Sequence, residues 1–208
     1  MARIDVWPAV FAERKSLVAD LADLPADGWD KQSLCTQWTV RDVLAHMTAT
    51  AKITPPLFFA KMAANGFSFA KLQAKDIAAE RGGSSADTLA GFKSVAESTK
   101  RPPGPIDTML GETIVHSEDI RRALGIKHDY PPEALTQVAD FFKASNLIIG
   151  TKRRIDGLTL RATDVTWTHG SGPEVSGPML PLLMAMTGRK PALDDLSGDG
   201  VAILRTRP

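Results

Sequence analysis

The sequence predicts an α+β chain, with a helical bundle over residues 1–150 and a small α/β domain over residues 151–208. Three observations point there. Apolar residues recur three and four positions apart through the first part, the period of a helix with one buried face. From Ile155 onward they alternate with polar residues, as in Leu158, Leu160 and Ala162, which is the period of a strand. Proline and glycine clusters break the first part into segments of helical length.

Taken in order, Val10, Phe11, Leu17, Val18 and Leu21 mark a first helix that Pro25 and Gly28 end. Thr39 opens a second, with Asp42 three positions on as the shorter acid of a capping box. It runs through Val43, His46, Met47 and Thr50 to Pro55-Pro56. Residues 57–81 read as short helical pieces, 58–62 and 69–77, separated at Gly66. Ser85 caps a third helix bearing Leu89, Phe92 and Val95, and residues 101–105, Arg-Pro-Pro-Gly-Pro, form a stiff connector. A fourth helix follows over residues 106–124, closed by Gly125 just past its end. Pro131 and Pro132 open a fifth, with Leu135, Val138, Phe142 and Ile149 on one side. In the tail, strands at 158–162 and 165–169 precede a turn at 170–173. An apolar helix over 178–187 and a last strand at 201–204 complete the reading, with no internal repeat.

Composition excludes several classes of function. A net charge of +1 argues against a nucleic-acid binder, since such domains gather Lys and Arg on one face. The longest basic cluster, Lys152-Arg153-Arg154, reads as a solvated helix end. No run of about eighteen apolar residues offers a membrane span, and the opening residues lack the apolar core of a secretory signal. With Cys35 as the single cysteine, an internal disulfide, a CxxC pair and a cysteine-rich zinc site are all excluded. The expectation is a cytoplasmic protein, monomer or homodimer, whose partners are small molecules.

The chemistry concentrates on the fourth helix. Glu112 and His116 are four positions apart and stack on one face, about 6 Å apart along the axis. At about 100° per residue, Met109, Thr113, Ile120 and Ala123 share that face, while Glu118, Arg121 and Arg122 lie opposite. A carboxylate and an imidazole thus point inward. An ionised carboxylate buried alone costs several kcal/mol, and a divalent cation would neutralise it. His46, on the side of Val43, Met47 and Thr50, offers a third ligand and leaves coordination positions open, as catalytic sites do. The competing readings are a surface Glu–His pair and a structural polar network, because such spacing arises often by chance.

A resemblance goes further. Residues 34–47, Leu-Cys-Thr-Gln-Trp-Thr-Val-Arg-Asp-Val-Leu-Ala-His-Met, resemble the signature of the DinB-like four-helix-type bundle metalloproteins. They look nearest to the mycothiol-dependent maleylpyruvate isomerase family of actinobacteria. The segment from Gly111 through His116 to Gly125 is similar to that family's second metal motif, and Gly177-Pro178, 187–191 and 196–200 match its tail. The resemblance implies His46, Glu112 and His116 as metal ligands, zinc as the metal, mycothiol as thiol cosubstrate and Arg189 as a catalytic arginine. Residues 52–105 match no isomerase substrate pocket.

Independently of the family, an open metal site could hold a small thiol as thiolate near neutral pH. That thiolate could add to a double bond and leave, which is isomerisation, or attack an electrophile and stay, which is S-transfer. A non-catalytic metal-binding regulator or sensor is the alternative. Cys35 reads as a small, partly buried residue, Trp38 as a staple of the second helix, His128 as exposed, and His169 as exposed or facing a cleft between the two parts. Asp119 reads as part of a solvated face or, alternatively, as support behind a ligand.

Overall fold

The computed structural model describes residues 3–146 and 149–208. They fall into two compact units: Asp5–His128, and Asp129–Pro208 together with Arg3 and Ile4. Sequence periodicity places the boundary at residue 150. Packing places it earlier, because α8 (Pro132–Lys143) lies against α10 (Met179–Met186).

The first unit is the bundle. Its helices are α1 (Val6–Asp20), the short α2 (Ala26–Trp29), α3 (Val40–Lys52), α4 (Pro55–Ala64), α5 (Phe69–Glu80), α6 (Ser85–Ser94) and α7 (Asp107–Leu124). α3 and α7 pack on each other; α1 covers α7, and α5 and α6 cover α3. Leu17, Val43, Leu44, Met47, Phe92 and Ile120 meet in a core from which solvent is excluded. Each such side chain contributes about 1.5–3 kcal/mol by leaving water.

Local chemistry sets the helix ends. Thr39 and Asp42 form the expected capping box at the start of α3. The cap of α6 is Ser84, one residue before the expected Ser85, because Ser84 and not Ser85 sits three residues ahead of Asp87. α7 ends where Gly125 takes φ 72°. There Ile126 N–H bonds Arg121 O at 2.9 Å and Gly125 N–H bonds Arg122 O at 3.2 Å, a Schellman ending that favours glycine.

In the second unit, β1 (Thr159–Ala162) is central, antiparallel to β2 (Thr168–Gly170) and parallel to β3 (Glu174–Gly177). Gly170, at φ 85°, lets the β2 backbone approach Leu158 O, where a Cβ would stand 2.1 Å away. α10 packs its buried Met179, Leu182 and Leu183 near this sheet. After it come a 3-10 turn over Lys190–Asp195 and a terminal helix, α11 (Gly200–Thr206).

Several expectations are corrected here. Residues 201–204 form part of α11 instead of a strand, since a four-residue apolar run carries no period of its own. Leu204 is buried and Ile203 is exposed. The fifth helix stops at Lys143, so Ile149 lies beyond it, and residues 147 and 148 lie outside the described residues. Residues 163–166 bend between β1 and β2, and β3 went unread because Val175 is its one large apolar residue. Among the described residues, no helix is long and apolar enough to cross a membrane.

Candidate metal centre

α3 and α7 carry the three expected ligands within the bundle unit. The capping box fixes the start of α3 and thereby the phase at which His46 emerges. The rings of His46 and His116 lie edge to face with centroids 5.0 Å apart. Glu112, one turn before His116, takes hydrogen bonds from the hydroxyls of Thr113 and Thr50. Thr50 is itself one turn beyond His46, so α3 supports Glu112 from the His46 side.

The carboxylate is short of partners. Glu112 Oε1 is shielded from solvent and has no hydrogen-bond partner among the described residues. Burial raises its pKa above the usual carboxylate value, against the lowering pull of His116, Arg14 and the two threonine hydroxyls. Arg14 on α1 is fully buried, with Nη1 donating to Ser98 O at 3.1 Å, while its Nε and Nη2 have no partner among the described residues. A buried carboxylate oxygen lacking a donor, one turn from His116, is a group that a divalent cation would satisfy, and the donor types of His46, Glu112 and His116 suit such an ion.

His116 is held from its other nitrogen. Nδ1 lies 2.9 Å from Asp119 Oδ2, and Asp119 is fully buried. Cys35 Sγ donates to the same oxygen at 3.0 Å and stands 3.9 Å from Nδ1. Burial opposes a charge on His116, but the hydrogen bonds to Asp119 and Cys35 outweigh it and push the imidazole up to about 10. A carboxylate behind a histidine fixes its tautomer and aims the opposite nitrogen at a metal. Among the described residues, the group of His, Cys, Asp and Glu whose ligand atoms all lie within 4.8 Å of one another is Cys35, His116 and Asp119, which leaves out His46 and Glu112. That set is already joined by hydrogen bonds, whereas Glu112 Oε1 has none among the described residues.

Sequence reasoning missed three of these neighbours, Trp38, Cys35 and Arg14. Asp119, expected on a solvated face with support of a ligand as the alternative, is buried three positions from His116 and takes the supporting place. Trp38, expected as a staple, also packs its ring against His46, tilted by 37° with centroids 4.8 Å apart. Cys35 joins α7 across 81 positions of sequence, which no local pattern reveals. Arg14 shares the apolar face of Val10, Leu17 and Leu21, and that misplaced charge was legible. The opposite face of α7 is also corrected: Arg121 is 0% and Glu118 7% exposed, because α1 covers the side expected to meet solvent. His128, expected exposed, is pinned with Nε2 3.0 Å from Glu13 Oε2.

A small pocket of about 60 Å³ borders His46 and Thr50, lined also by Ile53, Phe58, Phe69 and Leu72. In the other unit, Arg189 Nη1 donates to Thr187 O at 3.0 Å, an arginine closing the end of α10. His169 is half-buried, and burial followed by the nearby Lys143 lowers its pKa.

Comparison with known proteins agrees with this architecture. Residues 10–103 match the model of the mycothiol maleylpyruvate isomerase N-terminal domain. The family match contains His46 and ends before α7 begins. Two solved structures share the fold over 96% of this chain and 96% of theirs. One is the mycothiol-dependent maleylpyruvate isomerase, with TM-score 0.60 and 14% identity. The other is a histidine-to-alanine mutant of it, with TM-score 0.62 and 15% identity. The DinB-like bundle with a small C-terminal α/β part is therefore the fold of this chain. No curated protein sequence matches it.

Proposed function

We propose that this chain is a metal-dependent enzyme that uses mycothiol to isomerise a small, maleylpyruvate-type electrophile. His46, Glu112 and His116 are the ligands, and zinc is the ion that two imidazoles and one carboxylate suit best. The observation that carries the reading is Glu112 Oε1, buried one turn before His116 with no donor among the described residues, while the rings of His46 and His116 lie 5.0 Å apart. The isomerase-type domain match over residues 10–103 supports the choice of thiol and substrate class.

When bound, the ion supplies a Lewis acid that keeps a thiol ionised near neutral pH. The chain's own residues do the rest. Asp119 holds the proton on His116 Nδ1, so that Nε2 presents its lone pair. The Thr50 and Thr113 hydroxyls steady one side of the Glu112 carboxylate. Trp38 limits the freedom of the His46 ring. Ile53, Phe58, Phe69 and Leu72 make the space beside His46 apolar, which discourages water from competing with the thiol. Arg189 is proposed to bind an anionic group of substrate or thiol, a task that suits its fixed fork of donors.

Calorimetric titration of mycothiol into zinc-loaded and zinc-stripped protein tests this, followed by turnover of maleylpyruvate. Thiol binding that requires the metal, with turnover reduced in Arg189→Ala mainly through KM, is the expected result. Metal-independent thiol binding, or none at millimolar thiol, would overturn it and leave a metal-binding regulator as the better reading. Turnover of a generic electrophile but not of maleylpyruvate would replace isomerisation with S-transfer.

A further inference from the structure

The loop between α2 and α3 is braced more heavily than a connector requires. Gln32 Nε2 donates to Cys35 O at 2.6 Å and to Trp38 O at 2.8 Å. Ser33 Oγ donates to Trp38 O at 2.7 Å and accepts from Cys35 N–H at 3.1 Å. Trp38 N–H closes the turn on Cys35 O at 3.0 Å. Cys35 and Trp38 are therefore tied into one small rigid body.

That body touches the candidate centre on two sides. Towards α7, Leu34 N–H bonds Asp119 O at 3.3 Å and Cys35 Sγ–H bonds Asp119 Oδ2 at 3.0 Å. Asp119 in turn holds His116 Nδ1 at 2.9 Å. Towards α3, the Trp38 ring lies 4.8 Å from the His46 ring and 6.0 Å from that of His116. A buried carboxylate oxygen shared by an imidazole and a thiol has less freedom than one holding the imidazole alone.

We infer that Cys35 is a positioning residue, the anchor of a clamp that orients both imidazoles. Through Asp119 it fixes His116, and through the braced loop it sets Trp38 against His46. The inference rests on the proposed metal centre for its consequence but not for its geometry. It assigns Cys35 no bond to substrate or metal. The thiol acts as a small donor that fits between the loop and α7.

The test is made on the full chain with Cys35→Ala and Cys35→Ser. In metal-free protein, ring resonances from nitrogen-15 NMR should move for both His46 and His116 in Cys35→Ala, although Cys35 and His46 lie on different elements. Zinc affinity should fall roughly tenfold, the lower end of what outer-shell partners contribute. Cys35→Ser keeps a donor to Asp119 and should restore both readouts to near wild type. A merely space-filling cysteine would leave the alanine and serine variants alike. An unmoved His46 ring in Cys35→Ala, or failure of serine to rescue, would overturn the clamp. Should wild-type protein take up no zinc, the metal reading fails, and the ring resonances alone decide the clamp.

Discussion

Two clusters of buried charge ride on α7, and they are built to opposite standards. Around Arg121, every guanidinium nitrogen has a partner: Nε bonds Asp20 at 2.7 Å, Nη1 bonds Glu13 at 3.1 Å and Nη2 bonds Ser16 Oγ at 3.0 Å. Glu13 is shared further with His128. Around Glu112, one carboxylate oxygen and two nitrogens of Arg14 have no hydrogen-bond partner among the described residues. A saturated cluster ties α1 to α7 and is complete as folded. An unsaturated one, about two and a half turns earlier on the same helix, leaves hydrogen-bonding capacity unused among the described residues. Burial alone does not separate structural charge from functional charge; the count of satisfied atoms does.

The largest expected effect comes from breaking the saturated side. Arg121→Met strands Glu13 and Asp20 beside an apolar side chain and should cost about 3–5 kcal/mol, the range for orphaning a buried ion-pair partner. Urea denaturation of the metal-free protein measures it. Glu112→Gln should by contrast leave metal-free stability unchanged or improve it, because it removes a charge that burial already disfavours. Equal losses in the two variants would erase the distinction between the clusters.

Stability against pH sharpens the same contrast. Glu112 has a raised folded pKa, so its contribution is full below its unfolded value of 4.5 and is lost as pH rises through the higher folded value. His116 adds stability that is full below 6.5 and lost as pH rises towards about 10. The metal-free chain should therefore weaken from mildly acidic to alkaline pH. Glu112→Gln should flatten the acidic part of that decline and Asp119→Asn the alkaline part. Urea midpoints at several pH values would show it; three parallel curves would mean that neither group titrates as described.

The smallest effect belongs to Thr50. Thr50→Val removes one neutral hydrogen bond to Glu112, worth about 0.5–1.5 kcal/mol. Zinc affinity should fall by roughly two- to tenfold on that scale, with thermal stability nearly unchanged. A loss of affinity as large as that of Glu112→Gln would mean that Thr50 does more than support the carboxylate.

Legibility in the sequence followed the range of the interactions. The helices of the bundle, the capping box of Thr39 and the Gly125 ending depend on neighbours within one turn, and periodicity exposes them. The shared face of Glu112 and His116 follows from their spacing of four, and both are half-buried there. Partners brought in by tertiary packing were not legible. Nothing near Arg121 in sequence announces Glu13 or Asp20, about a hundred positions earlier. The wheel assumed that α7 has one dry face, and a helix with neighbours on both sides breaks that assumption. Residues 201–204 failed differently, being too short for a period to form.

The central claim is that the partnerless carboxylate marks the metal centre, and zinc titration of five variants tests it most directly. Calorimetry should find about one ion per wild-type chain, no measurable binding in His46→Ala, Glu112→Gln or His116→Ala, and weakened but intact binding in Cys35→Ala and Asp119→Asn. Binding that survives in His46→Ala and Glu112→Gln but vanishes in Cys35→Ala and Asp119→Asn would contradict the account and give the ion to Cys35, His116 and Asp119 instead.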